Sequence, residues 1–160
     1  MIQAQMTLFA ASLLTLLVPL SAPMADSGRI VPADPWEIIH IAREFGTAEV
    51  GRDGMREPKI TGKIGEIAYE IGFYGCYLGR DCTSVLFQAR LAREDWEPDN
   101  EEIADWNREK LFGRAWVDGD SQAVLDHPVA MAGGLPAKSL ESTFLAWQLS
   151  LDEFVDYVDF

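Results

Sequence analysis

Two runs in the middle of the chain alternate strictly between apolar and polar positions. Ile67, Tyr69, Ile71 and Phe73 are separated by polar or small residues, and Val85, Phe87, Ala89 and Leu91 repeat the pattern after a break. A period of two is that of strands buried on one face. Cys76 and Cys82 lie between the runs, and placing them opposite each other fixes a register. Phe73 then faces Val85, Ile71 faces Phe87, Tyr69 faces Ala89 and Ile67 faces Leu91. A slip of one residue destroys this matching, because it sends every apolar side chain to the other face. The spacing predicts an antiparallel hairpin whose tip is the loop Tyr77–Asp81, with both cysteines on the face opposite the apolar one.

Elsewhere the period changes to that of helices. Asp34-Pro35-Trp36-Glu37 reads as a helix start with Asp as N-cap and Pro at the first position. Ile38, Ile41, Ala42 and Phe45 follow at helical spacing up to Gly46. Asp99 and Glu102 suggest a second start, for a helix through Ile103, Trp106 and Leu111 that Gly113 stops. From Ser139, a stripe of Leu140, Phe144, Trp147, Leu151, Phe154 and Val158 predicts a third helix. Short β-compatible stretches at Ala48–Gly51 and Pro58–Ile64 flank Asp53-Gly54. Another pair, Ala115–Val117 and Ala123–Leu125, flanks Asp118-Gly119-Asp120-Ser121. The predicted order is α-β-β-β-β-α-β-β-α, an antiparallel sheet with flanking helices in the α+β class. Trp36, Trp106, Trp116 and Trp147 are all expected to fill its core.

Length and composition fit one such domain, over about 30–160. The chain has 160 residues, 48% of them hydrophobic and 24% charged. Charge alters the picture more: 26 acidic against 13 basic residues give a net charge of -13. That balance disfavours nucleic acid, whose binding draws on Lys and Arg to displace phosphate counterions. It disfavours an anionic membrane surface for the same reason.

The first 25 residues have neither acidic nor basic side chains, and Leu8 to Leu20 is almost wholly apolar. This is the layout of a secretory signal peptide, expected to end between residues 22 and 27 and to leave no stable membrane anchor. An exported chain makes Cys76 and Cys82 a disulfide; in the cytosol the same pair would suggest a metal or redox site. The C-x5-C spacing is not that of a thiol oxidoreductase, and two thiols alone do not complete a zinc site.

Catalytic signatures are sparse. His40 falls in the first helix and His127 just before Pro128, neither in a recognisable triad, and no phosphate-binding loop or nucleophile elbow is present. Asp118-Gly119-Asp120 is only a fragment of a calcium loop. No cofactor or metal is called for. Tyr74, Tyr77 and Arg80, near the hairpin tip, form the candidate binding surface, because Tyr is favoured at interfaces; for Tyr74, packing within the strand is the stronger reading. The final helix is acidic through Glu141, Asp152, Glu153, Asp156 and Asp159.

Ile60-Thr61-Gly62-Lys63-Ile64-Gly65, Phe73-Tyr74-Gly75-Cys76 and Cys82, then Trp106-Asn107, Phe112-Gly113-Arg114-Ala115-Trp116-Val117-Asp118, Asp126, Gly133-Gly134, and Phe144 with Trp147 and Phe154 together resemble the YbjN family. The resemblance runs from about Pro35 to Phe154. It implies an α+β fold similar to that of type III secretion chaperones, a regulatory role in sensory transduction, and no assigned active-site residues. A homodimer is compatible with such a fold. The expectation is therefore a non-enzymatic periplasmic or secreted module that binds a protein or peptide. An envelope redox sensor using Cys76 and Cys82 is the alternative, and a small hydrolase with dispersed residues is a third.

Overall fold

A computed structural model of the chain describes residues 28–92 and 96–160. The expected signal peptide lies outside the described residues. The elements run β1 (Ile30–Val31), α1 (Pro35–Phe45), β2 (Thr47–Arg52), β3 (Pro58–Ile64), β4 (Ile67–Tyr74) and β5 (Ser84–Leu91). They continue with α2 (Asn100–Glu109), β6 (Arg114–Val117), β7 (Ala123–Ala130), β8 (Leu135–Pro136) and α3 (Ala137–Tyr157). Six strands make one antiparallel sheet in the order β2-β3-β4-β5-β7-β6. The β4–β5 register follows the apolar alternation, with Ile71 opposite Phe87 and Phe73 opposite Val85.

One face of the sheet is closed by helices. Ile60, Ile71, Phe87 and Leu125 from the strands meet Ile38, Phe144, Trp147, Leu151 and Phe154 from α1 and α3, all fully buried. Phe87 is central: Phe144 stands edge-on to it at 4.9 Å and Trp147 lies tilted at 5.8 Å. The helices begin where the capping residues stand. The Asp34 carboxylate accepts the Trp36 N–H at 2.9 Å, and Asp99 accepts the Glu101 N–H at 2.8 Å. Each satisfies a donor that the first turn leaves without an intrahelical partner. Trp106 joins α2 to α3, with its ring edge-on to Phe154 and Tyr157, and its indole N–H donates to the Gly113 carbonyl at 3.1 Å.

Four details differ from the sequence expectation. β1 and β8 pair with each other as two-residue strands, too short to leave a periodic signal. α2 stops at Glu109 rather than at Gly113, so Leu111 and Phe112 are exposed on the connection to β6. Trp36 and Trp116 are surface residues, 60% and 36% exposed, whereas Trp106 and Trp147 are in the core. Position in a regular element does not decide which face a residue takes, and Trp36 sits in the first turn of α1, on its outer side. Finally, Cys82 is buried among the core residues instead of lying on the opposite face.

Gly62 on β3 is crowded by its two neighbouring strands, β2 and β4. A Cβ there would fall 2.1 Å from the Thr47 carbonyl oxygen and 2.9 Å from the Tyr69 ring. The ring that occupies this space is buried, and its buried hydroxyl has no hydrogen-bond partner among the described residues. Burial pushes the Tyr69 phenol up from 10.0 to about 12. Ionisation is thereby disfavoured in the folded state, so this residue contributes stability below about pH 10 that is lost as pH rises towards about 12. Tyr69→Phe removes an unsatisfied polar atom at nearly constant shape. It is expected to be neutral or stabilising by about 1 kcal/mol in urea denaturation, with a weaker alkaline loss of stability.

Candidate binding surface

The β4–β5 hairpin does not end as a simple loop. Beyond the pair Tyr74–Ser84 the next paired residues are Tyr77 and Arg80, so two residues on the outgoing side face three on the return. Gly75 turns the chain with φ 63°, and Asp81 adopts φ 48° on the return. The extra residue rotates the return strand, which is why Cys82 points into the core. Tyr77 and Arg80 then exchange backbone hydrogen bonds of 2.8 and 3.0 Å around Leu78-Gly79, whose φ values are 51° and 74°. Two positive φ values in a two-residue loop define a type I′ turn, a geometry that normally selects Asn or Gly at its first centre. Here that centre is Leu78.

Cys76 and Cys82 are joined as a disulfide behind this turn, their Cα atoms 3.8 Å apart. The tip is also anchored to the body. The Cys82 N–H donates to the Ala33 carbonyl at 3.2 Å, and Arg80 Nε lies 3.8 Å from the Asp34 carboxylate. Changing both cysteines to Ala should lower stability by roughly 2 kcal/mol, mainly by freeing the unfolded chain. Urea denaturation of the variant and of the reduced native protein should agree on that figure.

Tyr77 is 73% and Leu78 87% exposed. Tyr74 is exposed too, although its ring lies back over Gly72, where an added Cβ would come within 3.0 Å of the phenol oxygen. Thus all three residues named from the sequence, Tyr74, Tyr77 and Arg80, are on the surface. Sequence reasoning missed their neighbours. Between the tip, the start of α1 and the β2 strand lies a groove of about 270 Å³ lined by Pro35, Trp36, Val50, Arg52, Leu78 and Arg80. A Leu at a turn position that favours Asn or Gly was the available signal, since local rules are most often broken where function requires it.

The sheet face away from the helices is polar. One row of cross-strand neighbours runs Glu49, Thr61, Glu70, Gln88, Asp126 and Arg114, spanning all six strands. Asp126, only 2% exposed, is its hub. One carboxylate oxygen accepts from Gln88 Nε2 at 2.7 Å; the other accepts from Arg114 Nη2 and Trp116 Nε1, both at 2.9 Å. Glu70 accepts from Lys59 and from Arg90, each at 3.2 Å. Val124 is fully buried on this face between its cross-strand neighbours Arg90 and Trp116. The exposed side of Trp116 is therefore tied to a structural network.

The two histidines stay apart from this chemistry. His40 is exposed on α1. His127 follows Asp126 in the same strand, so the two side chains point to opposite faces and do not form a dyad. Its ring instead packs 6.2 Å from Phe87 and 6.0 Å from Phe112, and burial lowers its pKa. The Asp118 carboxylate is engaged by its own turn, accepting the N–H groups of Asp120 at 2.9 Å and Gln122 at 3.0 Å.

No curated protein matches the chain. Residues 37–160 match the family described as "Putative bacterial sensory transduction regulator", YbjN. That span takes in most of α1, the disulfide-bonded hairpin, the Asp126 network and the aromatic core around Phe87. The chain therefore belongs to the YbjN family.

Proposed function

We propose that the protein is a non-catalytic regulatory module, exported to the periplasm or beyond, that recognises a protein or peptide partner through the disulfide-held tip. The observation that carries this reading is the concentration of exposed apolar and aromatic side chains on one rigid element: Tyr77 and Leu78 on the turn, with Trp36 beside it. Clustered exposed apolar residues mark interaction sites more often than single ones do. A tip fixed by a disulfide and by a hydrogen bond to Ala33 loses little conformational freedom when it binds, which favours affinity. The Cys76–Cys82 disulfide supports export, because such bonds persist in oxidising compartments. The net charge of -13 argues against nucleic acid as the partner. The ionic groups of the open sheet face point away from catalysis, because Asp126 and Glu70 are engaged with neighbouring donors.

Affinity capture from a periplasmic extract with the native protein and with a Tyr77→Ser/Leu78→Ser variant tests this. The variant should fold with a stability within about 0.5 kcal/mol of the native protein, since both side chains project into solvent. It should lose at least ten-fold in recovery of any specifically captured partner. Equal recovery by both proteins would remove the tip from the reading.

A further inference from the structure

The two edges of the main sheet are not equivalent. At the β6 edge the Asn107 side chain acts as a substitute strand: its amide donates to the Ala115 carbonyl and its oxygen accepts the Ala115 N–H, both at 2.8 Å. An incoming strand finds those groups taken. At the β2 edge the hydrogen-bonding parity can be read from two pairs. The Asp53 N–H donates to the Glu57 carbonyl at 2.9 Å, extending the β2–β3 ladder by one step. Arg52 is opposite Pro58, which has no N–H to give. Odd-numbered β2 residues thus bond to β3, and Ala48, Val50 and Arg52 direct their backbone groups outward. Arg43 Nε donates to the Ala48 carbonyl at 3.2 Å, which agrees with that parity and closes the first of the three. Among the described residues, Val50 and Arg52 remain as a short open edge, and the groove of Trp36, Leu78 and Arg80 lies beside it.

The groove has a chemical bias unlike the rest of the chain. Arg52 and Arg80 both line it within a protein of net charge -13. Arg52 uses one of its N–H groups on the Arg56 carbonyl at 2.7 Å, and Arg80 touches Asp34 only through Nε at 3.8 Å. Each guanidinium carries five N–H donors, so both retain donors for a carboxylate. The Trp36 ring supplies an exposed apolar wall next to them.

We infer that the β2 edge at Val50 and Arg52 takes an extended segment of a partner protein as an added strand, with an acidic side chain placed between Arg52 and Arg80 and an apolar one against Trp36. The inference rests on the tip being a binding surface and specifies how and what it binds. Main-chain hydrogen bonds to the open edge supply affinity in such strand addition, and side-chain pockets supply selectivity. Alternation along an extended peptide puts residues i and i+2 on one side, which sets the expected ligand pattern as acidic-x-apolar or its reverse.

Random twelve-residue peptides displayed on phage, selected on the full folded protein, provide the test. The enriched pool should carry an acidic residue two positions from an aromatic or branched aliphatic one. Synthetic copies should bind with a dissociation constant raised at least ten-fold by Arg52→Glu/Arg80→Glu. N-methylation of alternate peptide amides should abolish binding in one register and leave it intact in the other. Val50→Pro removes an outward N–H at a sheet edge and should weaken binding similarly; the peptide methylation series reads the same bond without altering the protein. Enrichment of basic or wholly apolar peptides would overturn the inference. So would binding that is lost in Tyr77→Ser/Leu78→Ser yet unchanged in Arg52→Glu/Arg80→Glu and by methylation, although the tip would then stand as the binding surface. A pool that binds native protein and all these variants alike would reject both readings.

Discussion

Asp126→Ala is expected to destabilise the protein by about 2–4 kcal/mol, the range for leaving two largely buried donors without their acceptor. The carboxylate, on β7, receives three side-chain donors from the two flanking strands, Gln88 on β5 and both Arg114 and Trp116 on β6. Its loss leaves the Gln88 amide and the Trp116 indole N–H without their acceptor, beside a guanidinium that no longer has a counter-charge. Asp126→Asn keeps one acceptor oxygen and the shape but brings donors of its own, and should cost clearly less than Ala. Arg114→Ala should cost less again, since that side chain is mostly exposed while its carboxylate partner retains two donors. Equilibrium urea denaturation of the three variants gives the ranking. An Asp126→Ala cost below 1 kcal/mol would mean that the network is a surface ornament rather than the tie between β5, β7 and β6.

Trp106→Ala is the second large effect, at about 3–5 kcal/mol for removing a fully buried Trp. The site has little means of collapse, because the ring is enclosed by Phe154 and Tyr157 from α3 and anchors the Gly113 carbonyl that leads into β6. Trp106→Phe should retain most of the apolar contact and lose the indole hydrogen bond, for a smaller cost. Two neighbouring consequences separate this from plain cavity formation. Asn107, one residue on, should release the Ala115 backbone, and the amide hydrogen of Ala115 should exchange faster in the Ala variant than in the Phe variant. If both variants exchange alike, α2 is held by something other than Trp106.

Much of this architecture was legible because it depends on periodicity. The alternation on either side of Cys76 and Cys82 fixed the β4–β5 register down to the pairs Ile71–Phe87 and Phe73–Val85. Capping chemistry placed the starts of α1 and α2 at Asp34 and Asp99. The stripe through Phe144, Trp147 and Phe154 identified the buried side of α3. What escaped depends on contacts between distant segments. The parity of the cysteines failed at Cys82 because a one-residue excess in the return strand rotates the chain, an effect of Gly75 and Asp81 backbone angles that alternation does not encode. Trp36 and Trp106 are equally hydrophobic in the sequence, yet one is exposed and the other enclosed. The difference arises from where α1 and α2 dock, not from the residues themselves.

The candidate surface was partly visible for the same reasons. Tyr74, Tyr77 and Arg80 are close in sequence, at the end of β4 and on the turn that follows, so local reasoning placed them together, and all three are on the surface. Arg52 and Trp36 come from β2 and α1 and reach the groove only through the sheet order. The Asp126 hub was carried in the sequence only as one matching position of the family resemblance. Its role emerges when Gln88, Arg114 and Trp116 are brought to it from neighbouring strands.

If the disulfide-held tip meets a partner, the two must be in contact there in the living cell. A photo-crosslinking amino acid at Leu78, where the side chain is exposed and makes no hydrogen bond, should give a discrete adduct with another protein on irradiation. The same probe at Ser142, exposed on α3, should not give that adduct. Identical adduct patterns at the two positions, or none at Leu78 with the protein folded and abundant, would contradict the account.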